Sequence, residues 1–146
     1  MSDLQKVSDQ FSAAGQVSPN TLSQAAQAGF QLVLNLRSPD ESGVLPDEPQ
    51  EVAASELHYT NVPLTNTNPS AVEVEKVLEA IESLPKPVLV QCGAGLRAGA
   101  IALLAAAIEE GLTPAEIEAK AAELGLSEQP HLQQYLEQFV QKNRSV

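Results

Sequence analysis

The chain alternates short apolar runs with longer stretches whose apolar residues recur at helical spacing, and a turn residue marks each change of period. Ser18-Pro19 sets a capping hydroxyl before a proline at the first helical position. Gly29 supplies a left-handed stop after Leu22, Ala25 and Ala26, which predicts a helix over about residues 19–28. Phe30 to Leu36 is a compact apolar run that gives way to Arg37-Ser38-Pro39-Asp40, and reads as a buried strand entering a polar loop that continues through Gly43, Pro46 and Pro49. Residues 50–56 read as a short helix and His58 to Val62 as a strand closed by Pro63. Asn68-Pro69 repeats the cap-plus-proline signal and opens a helix in which Val74, Val77, Leu78 and Ile81 keep the i, i+3, i+4, i+7 rule, ending near Leu84-Pro85.

Pro87 to Gln91 is the second clear buried strand. It runs straight into Cys92-Gly93-Ala94-Gly95-Leu96-Arg97, after which Ala98 to Ile108 is almost wholly apolar, and a helix apolar on every side must lie inside the fold. Thr113-Pro114-Ala115-Glu116 is a capping box, predicting a helix to about Leu124 with its stop at Gly125. Leu132, Tyr135, Leu136 and Phe139 close the chain as an amphipathic helix within 126–146. This order predicts an α/β fold: a central, mainly parallel sheet of about four or five strands with helices on both faces, in a single domain over residues 1–146.

Charge narrows the partners. With 19 Asp and Glu against 8 Lys and Arg, a net charge of -11, the chain lacks the cations to neutralise phosphate backbones or a membrane surface, so neither nucleic acid nor membrane is expected as a partner. No run approaches the roughly 20 apolar residues of a membrane span. Met1 to Lys6 has no basic-then-apolar leader, and a soluble, cytoplasmic setting is expected. One cysteine, Cys92, excludes an internal disulfide, and His58 and His131 fit no metal-ligand spacing, so neither metal nor cofactor is expected. Only three arginines exist, Arg37, Arg97 and Arg144, which makes their positions informative.

The order strand, Cys92, glycine-containing loop, Arg97, buried helix is what an anion-binding nucleophile requires. Gly93 and Gly95 allow backbone conformations closed to residues with a Cβ, so the N–H groups of Gly93, Ala94, Gly95 and Leu96 can converge on one small oxyanion. A helix amino terminus adds partial positive charge that favours a thiolate and a bound anion, and the guanidinium fork of Arg97 can grip two oxygens. Arg37, just after the other buried strand, is a candidate second anion contact or, equally, half of a salt bridge. Asp40 or Glu41 on the same strand-end loop could face Cys92 as a general acid, although loop carboxylates of this kind are more often simply solvated.

Gly15-Gln16-Val17-Ser18-Pro19, Ala28-Gly29-Phe30, Val33-Leu34-Asn35-Leu36-Arg37, Asn61-Val62-Pro63 and Pro87-Val88-Leu89-Val90 before Cys92-x-x-Gly95-x-Arg97 together resemble the phosphatase-like domain of the beta-lactamase hydrolase-like proteins. The resemblance covers about residues 11–125. That family is similar in fold to dual-specificity and tyrosine phosphatases, and its members are also described as sulfur transferases. The resemblance implies a Cys-loop phosphatase architecture with Cys92 as nucleophile and Arg97 as anion ligand. Tyrosine phosphatases place five residues between these two, whereas this chain places four, the interval that resembles rhodaneses. Gln91 stands where the phosphatases carry His, Gly93 where the family often has a basic residue, and Ala98 where a Ser or Thr hydroxyl is usual; the loop Pro63 to Asn68 has no carboxylate.

Three readings follow. The first is a Cys-dependent phosphatase-like hydrolase acting on a phosphate ester through a thiophosphoryl-cysteine. The second is a sulfurtransferase carrying a persulfide on Cys92, and the third a non-catalytic oxyanion-binding module. All three take a small anionic ligand, since a net acidic body repels large polyanions at long range and leaves anion recognition to local groups.

Overall fold

A computed structural model describes residues 5–15, 17–38, 47–64, 71–92 and 96–125. The elements are β1 (Gln5–Lys6), β2 (Phe11–Ala14), α1 (Pro19–Gln27), β3 (Leu32–Asn35), α2 (Glu48–Ala54), β4 (His58–Asn61), α3 (Ala71–Glu82), β5 (Val88–Gln91), α4 (Leu96–Glu110) and α5 (Pro114–Glu123). Among the described residues the five strands form one sheet in the order β1-β2-β5-β3-β4, parallel except for the antiparallel β1 at one edge. This is the α/β architecture expected from the pattern of the chain.

The sheet is covered on both faces, and the alternation of side chains along each strand decides which residue serves which face. Val88 and Val90 of β5, Leu32 and Leu34 of β3, and Phe11 and Ala13 of β2 join a core with Val74, Val77 and Ile81 of α3, most of α4, and Ile117 and Ala121 of α5. Leu89, Val33 and Ala14 point the other way, onto Leu22 and Ala25 of α1, Val52 of α2 and Leu57. Helix α4 is buried from Arg97 to Ala107, as a helix apolar all round requires, and its alanines let it approach β2 and β5 closely.

The local signals act as their chemistry demands. The Ser18 hydroxyl accepts from the Thr21 N–H at 3.2 Å, and Gly29 takes φ +96°, closing α1 in a conformation that disfavours a Cβ. Thr113 and Glu116 exchange both bonds of the capping box, at 3.2 and 2.9 Å.

Three elements depart from the sequence-based expectation, the first being the short edge strand β1, Gln5–Lys6, which pairs antiparallel with β2. Helix α2 begins at Glu48, two residues before the expected start, because Pro49 belongs to its first turn rather than to the preceding loop. Strand β2, Phe-Ser-Ala-Ala, carries no β-branched residue and was not expected. It is set by its neighbour, pairing Phe11 to Ala14 with Val88 to Gln91 in register. The amphipathic helix expected within 126–146 and the helix start expected at Asn68-Pro69 lie outside the described residues.

Candidate functional site

Parallel strands β3 and β5 end side by side, with Asn35 opposite Gln91 and the Leu36 N–H donating to the Gln91 carbonyl at 2.8 Å. Cys92 follows directly. Its N–H donates to the Ala14 carbonyl at 3.1 Å, so its backbone still belongs to the ladder with β2 when the chain leaves the sheet. The side chain is 1% exposed. The Ala98 N–H stands 3.3 Å from Cys92 Sγ. Ala98 is in the first turn of α4, where N–H groups have no carbonyl partner within the helix, and here one of them is turned onto sulfur. Such a donor, backed by the positive end of the helix, binds an anionic sulfur more strongly than a neutral one.

Arg97, the second residue of α4, is also buried. Its Nη1 donates to the Leu64 carbonyl at 2.8 Å and stands 3.5 Å from the Leu36 carbonyl, while the Leu64 N–H donates to Leu36 O at 2.8 Å. The ends of β3 and of the segment after β4 are thus tied to each other and brace the guanidinium. A buried guanidinium is costly without compensating polar contacts. Carbonyl dipoles supply part of that compensation, and an anion would supply opposite charge.

The fold brings Cys92 and Arg97 together at the carboxyl end of the sheet, the end where ligands bind in parallel α/β sheets. It also sets the backbone of Arg37 beside them. The Arg37 N–H donates to Asn35 Oδ1 at 2.9 Å and its carbonyl accepts from Asn61 Nδ2 at 2.8 Å, with the residue largely buried. Leu96 opens α4. Gly93, Ala94 and Gly95, the carboxylates Asp40 and Glu41, and the loop from Thr65 to Asn68 lie outside the described residues. Among the described residues no group of three or more His, Cys, Asp or Glu could hold a metal ion, and no helix is long and apolar enough to cross a membrane.

Reading the sequence alone missed the supports. The carbonyls of Leu36 and Leu64 and the amide of Ala98 are backbone groups, invisible in residue types. A polar cluster on the α1/α2 face, part buried and part half-buried, was missed as well. Glu48 Oε1 accepts from Gln91 Nε2 at 3.1 Å, both residues being buried. Asn35 Nδ2 donates to the Tyr59 hydroxyl at 3.0 Å, and Asn61 Nδ2 donates to the carbonyls of Asn35 and Arg37, each at 2.8 Å. Burial holds the Tyr59 hydroxyl above its ordinary pKa, against the Asn35 donor and with the help of the nearby Glu48 charge. The available signal was Gln91 itself, a polar residue at the end of a strand buried on both faces, which needs a partner.

Comparison with solved structures defines the class. A DUF442 phosphatase-like protein from Shewanella putrefaciens CN-32 superposes with a TM-score of 0.79 at 27% identity, over 97% of this chain and 91% of its own. Tk-PTP in a mutant form gives 0.78 at 20% identity, over 99% and 98% of the two chains. The core catalytic domain of the PP-IP phosphatase SIW14 from S. cerevisiae, solved in complex with citrate, gives 0.72 at 15% identity over 92% and 83%. The fold is that of the protein tyrosine phosphatase-like phosphatases. Within that class the chain belongs to the family described as beta-lactamase hydrolase-like protein, phosphatase-like domain, whose model matches residues 3–109. The search of curated proteins gives no match.

Proposed function

We propose that the chain is a cysteine-dependent phosphatase-like hydrolase acting on a small phosphate ester. The observation that carries this reading is the donor at sulfur: the Ala98 N–H lies 3.3 Å from Cys92 Sγ, one residue beyond a buried Arg97, on a phosphatase-like fold. The thiolate of Cys92 attacks phosphorus, the S–P bond forms, and the ester P–O bond breaks as its oxygen takes up a proton. Asp40 is the candidate donor of that proton. Water then attacks phosphorus, the S–P bond breaks, and inorganic phosphate leaves with the thiolate restored. Arg97 and the amides of Gly93, Ala94, Gly95 and Leu96 hold the equatorial oxygens, with Arg37 a candidate second contact. Citrate bound to a neighbour of the same fold agrees with a compact anionic ligand.

An aryl phosphate tests the reading. Turnover inhibited by vanadate and abolished by Cys92→Ser is expected; wild-type protein that neither hydrolyses the ester nor binds vanadate removes it. The four-residue interval between Cys92 and Arg97, and the lack of a carboxylate from Pro63 to Asn68, favour a second reading, sulfur transfer. In it, the Cys92 thiolate attacks the sulfane sulfur of thiosulfate, sulfite leaves, and the persulfide passes to an acceptor thiol. Intact mass after thiosulfate treatment decides this reading, which fails if Cys92 gains no sulfur.

A further inference from the structure

The polar pair behind the nucleophile calls for an explanation that burial alone does not give. Gln91 is fully buried and immediately precedes Cys92; Glu48, the first residue of α2, is 2% exposed. An apolar pair of similar volume would fill this space without the desolvation cost of a carboxylate and an amide. A carboxylate only accepts, so it dictates which end of the Gln91 amide turns toward it. The bond from Gln91 Nε2 to Glu48 Oε1, at 3.1 Å, does this, and Gln91 Oε1 makes no hydrogen bond among the described residues. Gln91 is therefore oriented through its side chain from α2 and through its backbone from β3, where the Leu36 N–H meets its carbonyl. The next residue carries the sulfur that faces the Ala98 N–H.

We propose that Glu48 is a positioning residue for Cys92, acting through Gln91. It fixes the last side chain of β5 and with it the direction in which Cys92 leaves the sheet toward the start of α4. The inference rests on the reading of Cys92 as the nucleophile. It differs from a purely structural role in predicting that geometry at sulfur suffers in molecules that remain folded when the pair is made apolar.

The test compares wild type, Glu48→Gln, and the double variant Glu48→Leu/Gln91→Met, using aryl phosphate turnover and the rate of Cys92 alkylation by iodoacetamide. Glu48→Gln keeps an acceptor for Gln91 Nε2, so kcat is expected to stay within about threefold of wild type. The double variant replaces the pair by apolar side chains of similar size, and its melting transition identifies the temperatures at which it is folded and its activity is compared. Its kcat is expected to fall at least about tenfold with less change in KM, and its alkylation rate to depart from that of wild type and Glu48→Gln. A double variant that folds, turns over and alkylates like wild type overturns the proposal, as does a Glu48→Gln variant as impaired as the double variant. If wild type hydrolyses no ester, the hydrolase reading falls while the alkylation comparison still judges the pair.

Discussion

The two faces of the sheet are built on different principles. Toward α3, α4 and α5 the buried side chains are apolar along the whole length of the strands, with Cys92 and Arg97 entering only at the carboxyl end. Toward α1 and α2, β3 and β5 begin apolar, with Val33 and Leu89, and finish polar, with Asn35 and Gln91 bonded to Tyr59 and Glu48. The first face draws its stability from area and close packing, which are indifferent to direction. The second adds hydrogen bonds, which contribute little net stability but specify orientation. The candidate site sits where the two meet. Its helix is carried on the apolar face, while strand ends β3 and β5 are aimed from the polar one.

The comparison breaks most visibly at Arg97. Arg97→Met keeps an apolar stem and removes the guanidinium that donates to the Leu64 carbonyl. Aryl phosphate kcat/KM is expected to drop at least about a hundredfold. A variant with undiminished turnover would mean that the arginine is a brace for Leu64 and not an anion ligand. Leu103→Ala, by contrast, touches only the apolar face. Leu103 is fully buried in α4, so urea denaturation should show a loss of about 2–5 kcal/mol. Its kcat per folded molecule should stay within about twofold of wild type, because Leu103 lies nearly two helical turns along α4 from Arg97, roughly 9 Å away, where effects are close to additive.

The same division explains what could be read from the sequence. Strands β3 and β5, helix α4 and the caps at Ser18 and Thr113 announce themselves through period and punctuation, since each obeys a local rule. Cys92 and Arg97 stand out as candidates because anion-binding nucleophile chemistry needs those residue types at that spacing. Strand β2 does not stand out, because Ser12, Ala13 and Ala14 have no strand preference of their own and acquire one from pairing with β5. Glu48 was hidden for a related reason. A glutamate beside a proline in a stretch that reads as polar loop gives no sign of burial, and only the distant Gln91, forty-three positions on, shows it to be a core residue. The proposed nucleophile and its cation follow from local features of the chain; the groups that support them follow from topology.

Asn61→Ala sharpens the polar side of the comparison. It removes two donors, to the carbonyls of Asn35 and Arg37, from the segment that carries Arg37 away from β3. A stability cost of about 1–3 kcal/mol is expected. Unlike Leu103→Ala, it should also lower kcat/KM of the folded fraction, measured well below the unfolding transition. An Asn61→Ala protein that loses stability alone would reduce the polar face to a second kind of core.

The smallest effect is electrostatic and concerns Tyr59. The chain has two tyrosines, Tyr59 and Tyr135, so Tyr135→Phe leaves a single phenol to follow by its absorbance in alkali. Burial raises its pKa above the ordinary value of 10.0, the Asn35 donor opposes that rise, and the Glu48 charge adds to it. In the Tyr135→Phe background, Glu48→Gln removes the charge and should move the Tyr59 titration downward, whereas Asn35→Leu removes the opposing donor and should move it upward. Because the folded value lies above the unfolded one, the contribution of Tyr59 to stability is full below about pH 10 and is lost as pH rises through the folded pKa. Glu48→Gln should therefore make the alkaline fall in melting temperature shallower. Equal titrations with and without the Glu48 carboxylate would place that group too far from Tyr59 to belong to one polar cluster, and would confine its part in the candidate site to orienting Gln91.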